Sequence, residues 1–442
     1  MAIKAKLTTF DTTMIVVSLV IGIGIFRTPA MVASATKRPL LFFAAWTLGG
    51  LISFLGALTF AEIGSRFPKP GSYYKVVAEN YNSALAFMLN WANVFAVNGA
   101  GGAAVAIIGA EYIAPIILPK ELQTQLTVQL TAAALMLILL TINYLGIKTG
   151  AWAQNVLSLL KIGMIALLSF VAFLYKRAPA SAPNQLPLTN SWWIALAIGF
   201  ISVFYTYGGY QCTINFGADV QRAQRNMPRA ILFGILIIIA CYLTINIAYF
   251  KVLGVPGIAG AKLVAAEVAR ICFGKFGYLF VSMAIFLSAM GFLNVTLMQI
   301  PRAYYAMAED RGLPSIFMRV NPQTQTQEFG LLFLGATIML FIFFLGTFEN
   351  IVNYVMFLDS ATIAVVASTV FSLRRKARQA GNNYTGYKVP LYPVLPAIFV
   401  LFLFSLSVNV LLTQTKQALF GAIISAAGLP IFLFMRRVTK KS

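Results

Sequence analysis

Two stretches decide the fold: Gly22-Ile23-Gly24-Ile25-Phe26, near the middle of one apolar run, and Tyr205-Thr206-Tyr207-Gly208-Gly209-Tyr210, inside another. A helix facing lipid cannot leave backbone N–H and C=O groups unpaired, whereas one lining a polar cavity can. Glycines at these points therefore read as helix breaks beside a cavity. Close helix packing through small residues would explain either stretch alone; their matching placement favours a site. They fall in the first and sixth apolar runs, which open two successive blocks of five runs. Because five is odd, the second block enters the membrane from the opposite side, which makes an inverted repeat. Broken helices at matching positions of inverted halves point to a midplane binding site in a secondary transporter.

Composition agrees. Of 442 residues, 60% are apolar and 10% charged, and the mean hydropathy is +0.82. No soluble core of this size hides so much apolar surface, so soluble globular, disordered and fibrous classes are excluded. At roughly 20 residues per span plus short loops, the chain has room for about twelve transmembrane helices. The expected fold is an all-α polytopic membrane protein of twelve spans, with helices one and six broken. Its first inverted repeat covers residues 1–190 and its second 191–390, with two further spans and a tail in 391–442.

The 33 Lys+Arg against 12 Asp+Glu leave a net charge of +21. In a soluble chain this would suggest nucleic acid. Here basic residues flank the apolar runs, as the positive-inside rule requires. With both termini cytoplasmic, Lys4, Lys6, Arg66, Arg222, Arg225, Arg229, Arg374, Arg375, Lys376 and Arg378 gather on the inner face, and Lys120, Lys262, Arg270 and Lys275 on the outer. The bilayer is thus the expected partner, and nucleic acid is not. There is no histidine, which removes imidazole metal sites and proton relays. The three cysteines, Cys212, Cys241 and Cys272, are widely spaced and form no disulfide framework. No metal site, cofactor or catalytic nucleophile and base pair is readable, so no enzyme is expected.

Lys161 lies deep in the run Leu157-Ser158-Leu159-Leu160-Lys161-Ile162-Gly163-Met164. An ammonium at midplane costs at least about 2.5 kcal/mol and should face a cavity. Four acids need placing. Glu62 near Arg66, and Asp219 before Arg222 and Arg225, read as salt bridges of a gate or loop. Glu111 and Asp359 are candidates to pair with Lys161 or to line a pathway.

Further motifs are Ala61-Glu62-Ile63-Gly64-Ser65-Arg66-Phe67-Pro68 leading to Gly71 and Tyr73, Arg225-Asn226-Met227-Pro228-Arg229-Ala230, Gly291-Phe292-Leu293-Asn294, and Arg302, Tyr305 and Gly312-Leu313-Pro314. In order and spacing, with the two glycine stretches, they resemble the amino acid, polyamine and organocation (APC) superfamily. The nearest branch is that of L-type amino acid transporters and their bacterial relatives. The resemblance implies that backbone amides of Gly22, Ile23 and Gly24 meet a substrate carboxylate, and that carbonyls of Val20, Tyr205 and Gly208 meet its ammonium. Helix-end dipoles alone can hold a zwitterion in this way. It also implies that Tyr207, Gly209, Tyr210 and Gln211 belong to the site, as an aromatic gate and its polar neighbour. Tyr210 departs from the more usual Trp of that family, and packing aromatics are the plainer account of Tyr207 and Tyr210. Lys161 falls where sodium-coupled relatives bind a cation, which implies sodium-independent transport with the ammonium supporting helix one. Spans one, two, six and seven are implied to move against spans three, four, eight and nine, with five and ten as gating arms. The loop Pro119-Lys120-Glu121-Leu122-Gln123-Thr124 lacks the cysteine through which animal L-type transporters join a heavy chain, so no disulfide-linked heavy chain is expected.

The expected function is sodium-independent transport of neutral L-amino acids by alternating access, as exchange or proton-linked uptake, in a plasma membrane and specifically a bacterial inner membrane. Transport of cationic amino acids or polyamines is the rival; it would want a carboxylate near the breaks, and Asp359 would have to approach through the fold. A non-transporting amino-acid sensor is the other, although the short tails offer it no output domain.

Overall fold

The computed structural model describes residues 3–176, 187–188, 191–344, 349–381, 384–413 and 415–438. The expected repeat boundary at residue 190 and the end of the tail, 439–442, lie outside the described residues. The helices are α1 (Thr9–Val20), α2 (Gly24–Thr36), α3 (Pro39–Arg66), α4 (Ser72–Asn80), α5 (Ser83–Ala92), α6 (Asn98–Ile117), α7 (Gln125–Tyr144) and α8 (Ile147–Leu174). They continue as α9 (Trp192–Thr206), α10 (Ala223–Gly260), α11 (Val264–Phe273), α12 (Gly277–Glu309), α13 (Glu328–Phe344), α14 (Glu349–Gln379), α15 (Val394–Thr413) and α16 (Thr415–Val438). Two isolated bridges, Leu7 with Val220 and Pro70 with Phe216, are the β pairing among the described residues.

Among the described residues, nine stretches are long and apolar enough to cross a bilayer, or ten when the bent pair α1 and α2 counts as one. α13 and α14 come in addition to this count; they border residues 345–348, which lie outside the described residues. Large apolar side chains such as Leu159, Leu160, Phe170, Phe233 and Phe404 are exposed, as lipid-facing surfaces require.

Helix starts and stops follow local chemistry. Thr8 and Asp11 form a reciprocal capping box at the start of α1: the Asp11 N–H donates to Thr8 Oγ1 at 3.2 Å, and the Thr8 N–H to Asp11 Oδ2 at 2.9 Å. Ile21 turns to extended backbone, and α2 resumes at Gly24 with a bend of 45°. A second interruption follows α9, where residues 207–209 turn into a 3-10 segment, Tyr210–Asn215. The chain between α5 and α6 is a π-helical turn, Asn93–Val97, a form that tends to mark functional positions.

Packing sorts the helices into two groups. α1, α2, α3, α9 and α10 pack on one another, as do α6, α7, α12 and α13, while α8 touches α1, α10 and α12. Glycines allow the closest approaches: a Cβ at Gly49 would collide with Val203, and one at Gly56 with Tyr210 and Phe399.

Charged residues gather at the end of the bundle where Leu7 meets Val220. Glu62, fully buried, accepts from Arg374 Nε at 2.7 Å and Nη2 at 2.6 Å, from Arg66 Nε at 2.6 Å, and from the Val389 N–H at 2.7 Å. Asp219 pairs not with its sequence neighbours Arg222 and Arg225 but with Arg302 of α12, at 2.6 and 3.0 Å. That guanidinium also lies 4.6 Å from the Phe216 ring centre. On α4, Lys75 meets Asp310 at 2.5 Å and Glu309 at 3.0 Å. Burial alone pulls its ammonium down, but the two carboxylates outweigh this and hold it above its ordinary value.

Removing one partner of a buried ion pair strands the other charge, at a cost of about 3–5 kcal/mol. Arg374→Ala should therefore lower the thermal unfolding midpoint in detergent, by an amount near the low end because Arg66 still faces Glu62. Arg375→Ala, at an exposed position of the same helix, should leave the midpoint almost unchanged; equal effects would show that the Glu62 cluster does not stabilise the fold.

Candidate functional site

The first break frees carbonyls that a continuous helix would use, and side chains of other helices take up two of them. Ile21 O accepts from Lys161 Nζ at 3.0 Å, and the same ammonium donates to Ser18 Oγ at 3.1 Å. Val20 O accepts from the Gly22 N–H at 2.9 Å and from the Tyr242 hydroxyl at 3.1 Å. The Tyr242 oxygen also lies 3.3 Å from Thr206 O, so one phenol of α10 sits between the two breaks. Leu19 O faces Gly209, where φ is +117° and a Cβ would collide with that oxygen. Only glycine combines that backbone with that approach.

Lys161 is 2% exposed and is held by a buried polar chain. Ser18 Oγ lies 2.8 Å from Ser158 Oγ, and Ser158 donates to Met14 O at 3.0 Å. Gln154 Nε2 lies 3.3 Å from Ser158 Oγ, Gln154 Oε1 accepts from Asn294 at 2.8 Å, and Asn294 Oδ1 accepts from Asn143 at 2.7 Å. The chain runs from α1 through α8 to α12 and α7. Gly291 of α12 leaves room for the ammonium: a Cβ there would sit 2.5 Å from Lys161 Cε and 2.6 Å from Nζ. Among the described residues, neither acid considered as a partner of Lys161 pairs with it; Glu111 is exposed on α6, and Asp359 stands elsewhere.

Beside the second break lies a cavity of about 360 Å³, within the range of small-molecule sites. Tyr205, Gly208, Gly209, Tyr210 and Gln211 line it, together with Leu19 of the first broken helix. Gln211 Oε1 accepts from the Gly209 N–H at 2.9 Å and so fixes the turn. The other sequence candidates, Val20, Gly22, Ile23, Gly24, Tyr207 and Lys161, are not in its wall. Gly22 has open space where a Cβ would stand, and Gly24 is exposed and close to Thr206. Tyr207 is fully buried, 4.9 Å from Tyr242 and 6.1 Å from Trp46 between ring centres; it packs. Tyr210 combines both roles, lining the cavity while its ring meets Phe60 edge-on at 6.2 Å.

Sequence reading missed several wall residues: Tyr73, Asn90, Asn93, Asn98, Asn215 and Gln299. A signal existed for three of them, because Asn90, Asn93 and Asn98 recur within an otherwise apolar run. Tyr242 carried none, being one tyrosine in an apolar stretch. Asp359 of α14 does reach the cavity wall. Among the described residues no group of three or more His, Cys, Asp or Glu could hold a metal ion.

Gly291→Ala should push the lysine off Ser18 and Ile21, at a cost of about 1–3 kcal/mol for overpacking. Gly163→Ala, where a Cβ meets nothing within 4 Å, is the matched comparison on the same helix as Lys161. Thermal unfolding of both variants checks this; equal midpoints would mean that the close approach is relieved without cost.

The amino acid permease family model matches residues 7–429. The serine/threonine exchanger SteT of Bacillus subtilis is 26% identical over 96% of this chain and 95% of its own length. The cystine/glutamate transporter of Homo sapiens is 24% identical over 97% of this chain and 85% of its own. The Asc-type amino acid transporter 1 of Mus musculus is 23% identical over 98% of this chain and 81% of its own. These relatives are transporters rather than enzymes. A match over nearly the whole length, on a bundle of apolar helices with both glycine stretches broken, places the chain in the amino acid permease family of the APC superfamily, as a multi-pass membrane protein that transports amino acids.

Proposed function

We propose that the protein is a sodium-independent secondary transporter of neutral L-amino acids, working by exchange or proton-linked uptake. The observation that carries sodium independence is the Lys161 ammonium on Ile21 O and Ser18 Oγ. A carbonyl freed by the break and a neighbouring hydroxyl are hard oxygen ligands of the kind a small cation takes, and a tethered ammonium fills that place. The start of α2, where Ile23 makes no side-chain cap, leaves backbone N–H groups for a substrate carboxylate. The carbonyls of Val20, Tyr205 and Gly208 are the candidate acceptors for its ammonium, with Gly22, Ile23 and Gly24 on the carboxylate and Gly209, Tyr210 and Gln211 shaping the cavity beside Tyr205. Apolar wall residues such as Phe204, Phe292 and Ile363 suit a neutral side chain.

In this reading residues 1–190 and 191–390 are the inverted repeats and 391–442 the appended pair of spans. The group of α1, α2, α3, α9 and α10 rocks against α6, α7, α12 and α13, and α8 and α14 serve as arms. Both termini face the cytoplasm of a bacterial inner membrane, a placement supported by the gathering of ion pairs and cations at one end. No heavy chain is attached by a disulfide; Cys212, Cys241 and Cys272 all lie away from the loop 119–124. A second reading, a cationic substrate, is favoured by Asp359 in the cavity wall.

The test uses purified protein in liposomes loaded with unlabelled amino acids or with buffer, and a labelled amino-acid mixture outside. Replacing sodium with potassium or choline should leave uptake intact, and a strict sodium requirement would refute the role given to Lys161. Uptake only into loaded vesicles identifies an exchanger, whereas uptake into empty ones driven by an inward proton gradient identifies a symporter. Saturable binding without uptake in either would favour a sensor. In the same assay Lys161→Ala should abolish or uncouple uptake; near-normal kinetics and ion dependence would exclude the ammonium as support for helix one.

A further inference from the structure

We propose that the hollow between α14 and the chain leading into α15 binds a phosphate group that has no cation of its own, as on the headgroup of an anionic phospholipid or as free phosphate. The hollow, of about 1110 Å³, lies at the charged end of the bundle. Its wall holds Arg66 of α3, Arg374, Arg375 and Arg378 of α14, and Lys388 of the segment 384–393. No acid lines it. Arg66 and Arg374 share one carboxylate, that of Glu62. Among the described residues, no Asp or Glu oxygen lies within 4.0 Å of the side-chain nitrogens of Arg375, Arg378 or Lys388. Five cations thus meet a single carboxylate.

Two ordinary causes bring cations near this place, and neither gathers them. The positive-inside rule sets the sign of charge at one end, and the α14 macrodipole favours cations on its last turn. Arg66 and Lys388 belong to other segments, yet open on the same hollow. Lys376, close to that last turn, is outside the wall and donates to Glu79 O at 2.8 Å. Two guanidinium groups of the wall are also set in advance. Arg66 lies 4.0 Å from the Tyr384 ring centre and Arg374 3.8 Å from that of Tyr392; a stacked guanidinium presents its planar fork to phosphate. Arg66 donates to Glu62 through Nε alone, and Arg374 through Nε and Nη2. Both terminal nitrogens of Arg66, and Nη1 of Arg374, make no hydrogen bond among the described residues. Like charges facing one hollow repel, and an anion among them relieves this. Beside Tyr392 of the wall, Leu391 and Val394 are exposed where the α15 span begins, so an acyl chain can lie along α15 while its phosphate enters the hollow. Basic pockets between spans take anionic headgroups, each Lys or Arg being worth about fivefold in affinity.

The experiment follows the thermal unfolding midpoint of the full-length protein in detergent. It is titrated with dioleoylphosphatidylglycerol, dioleoylphosphatidylcholine or inorganic phosphate, against potassium chloride at equal ionic strength. Binding to the folded state raises the midpoint. A rise with phosphatidylglycerol alone identifies a lipid headgroup, and a rise with inorganic phosphate identifies the free anion; each supports the site when the cations of the wall are what it depends on. Arg375→Gln with Arg378→Gln leaves the Glu62 cluster in place and should move the titration to concentrations about tenfold or more higher. Arg436→Gln with Arg437→Gln, exposed at the end of α16 and outside the wall, should leave it where it is. The site is overturned if neither phosphatidylglycerol nor inorganic phosphate raises the midpoint beyond potassium chloride, or if phosphatidylcholine matches phosphatidylglycerol. A titration that Arg375→Gln with Arg378→Gln leaves unmoved, or that both double variants shift equally, would overturn it as well.

Discussion

The contact between the Lys161 ammonium and the carbonyl of Ile21 is what allows the first helix to stay broken inside a membrane. A break leaves acceptors without donors, and hydrocarbon supplies none. Here the missing donor comes from a side chain of a different helix, itself too costly to bury unless it finds such acceptors. Each solves the other's problem. The buried chain Ser18, Ser158, Gln154, Asn294 and Asn143 extends the solution across α8, α12 and α7, and Gly291 gives it space. A satisfied polar network of this kind rigidifies and specifies a core.

The second break is held differently. Gly209 adopts a backbone that other residues resist, Gln211 accepts its N–H, and Tyr242 reaches from α10 to both breaks. The two unwound segments approach one another through that phenol and through the closeness of Gly209 to Leu19 O. Packing of α9 on α2, and of α10 on α1 and α2, brings them together. Two stretches far apart in the chain thereby come together in the bundle.

How much of this was legible in the sequence depends on the kind of signal. The helix breaks left a signal in the matching placement of two glycine stretches in the first and sixth apolar runs, whereas the pairs Gly49-Gly50 and Gly101-Gly102 sit in the unbroken helices α3 and α6; a lone lysine such as Lys161 stands out against its surroundings. Both therefore pointed to the contact that the structure contains. Partners across the fold did not announce themselves. Asp219 sits beside Arg222 and Arg225 in the chain, yet the bend after the second break turns it toward Arg302 on α12; local charge spacing carries no information about that. The cavity wall was half legible. Residues 205 and 208–211 followed from the break, while Tyr73 comes from α4, whose approach is set by tertiary packing, and Asn215 from the far end of the 3-10 segment that follows the break. Tyr207 is the instructive case, since its place beside the break suggested a gate and its fully buried ring against Trp46 and Tyr242 shows packing instead.

Charge is arranged differently at one end of the bundle and at the breaks. Glu62, Asp219 and Asp310 are neutralised by cations at one end of the bundle, and apart from Glu62–Arg66 within α3 these pairs join segments distant in the chain: α3 to α14, the segment after α9 to α12, and α4 to the end of α12. Opening that end requires separating paired charges, and a separated buried pair is costly. The breaks, by contrast, are held by a tethered cation and by hydroxyl and backbone groups, so that movement of α1 relative to α8 strains hydrogen bonds to Lys161 without parting two opposite charges. The charged end is thus held by ion pairs and the breaks by a tethered cation with neutral groups, two kinds of bond that differ in the cost of parting them.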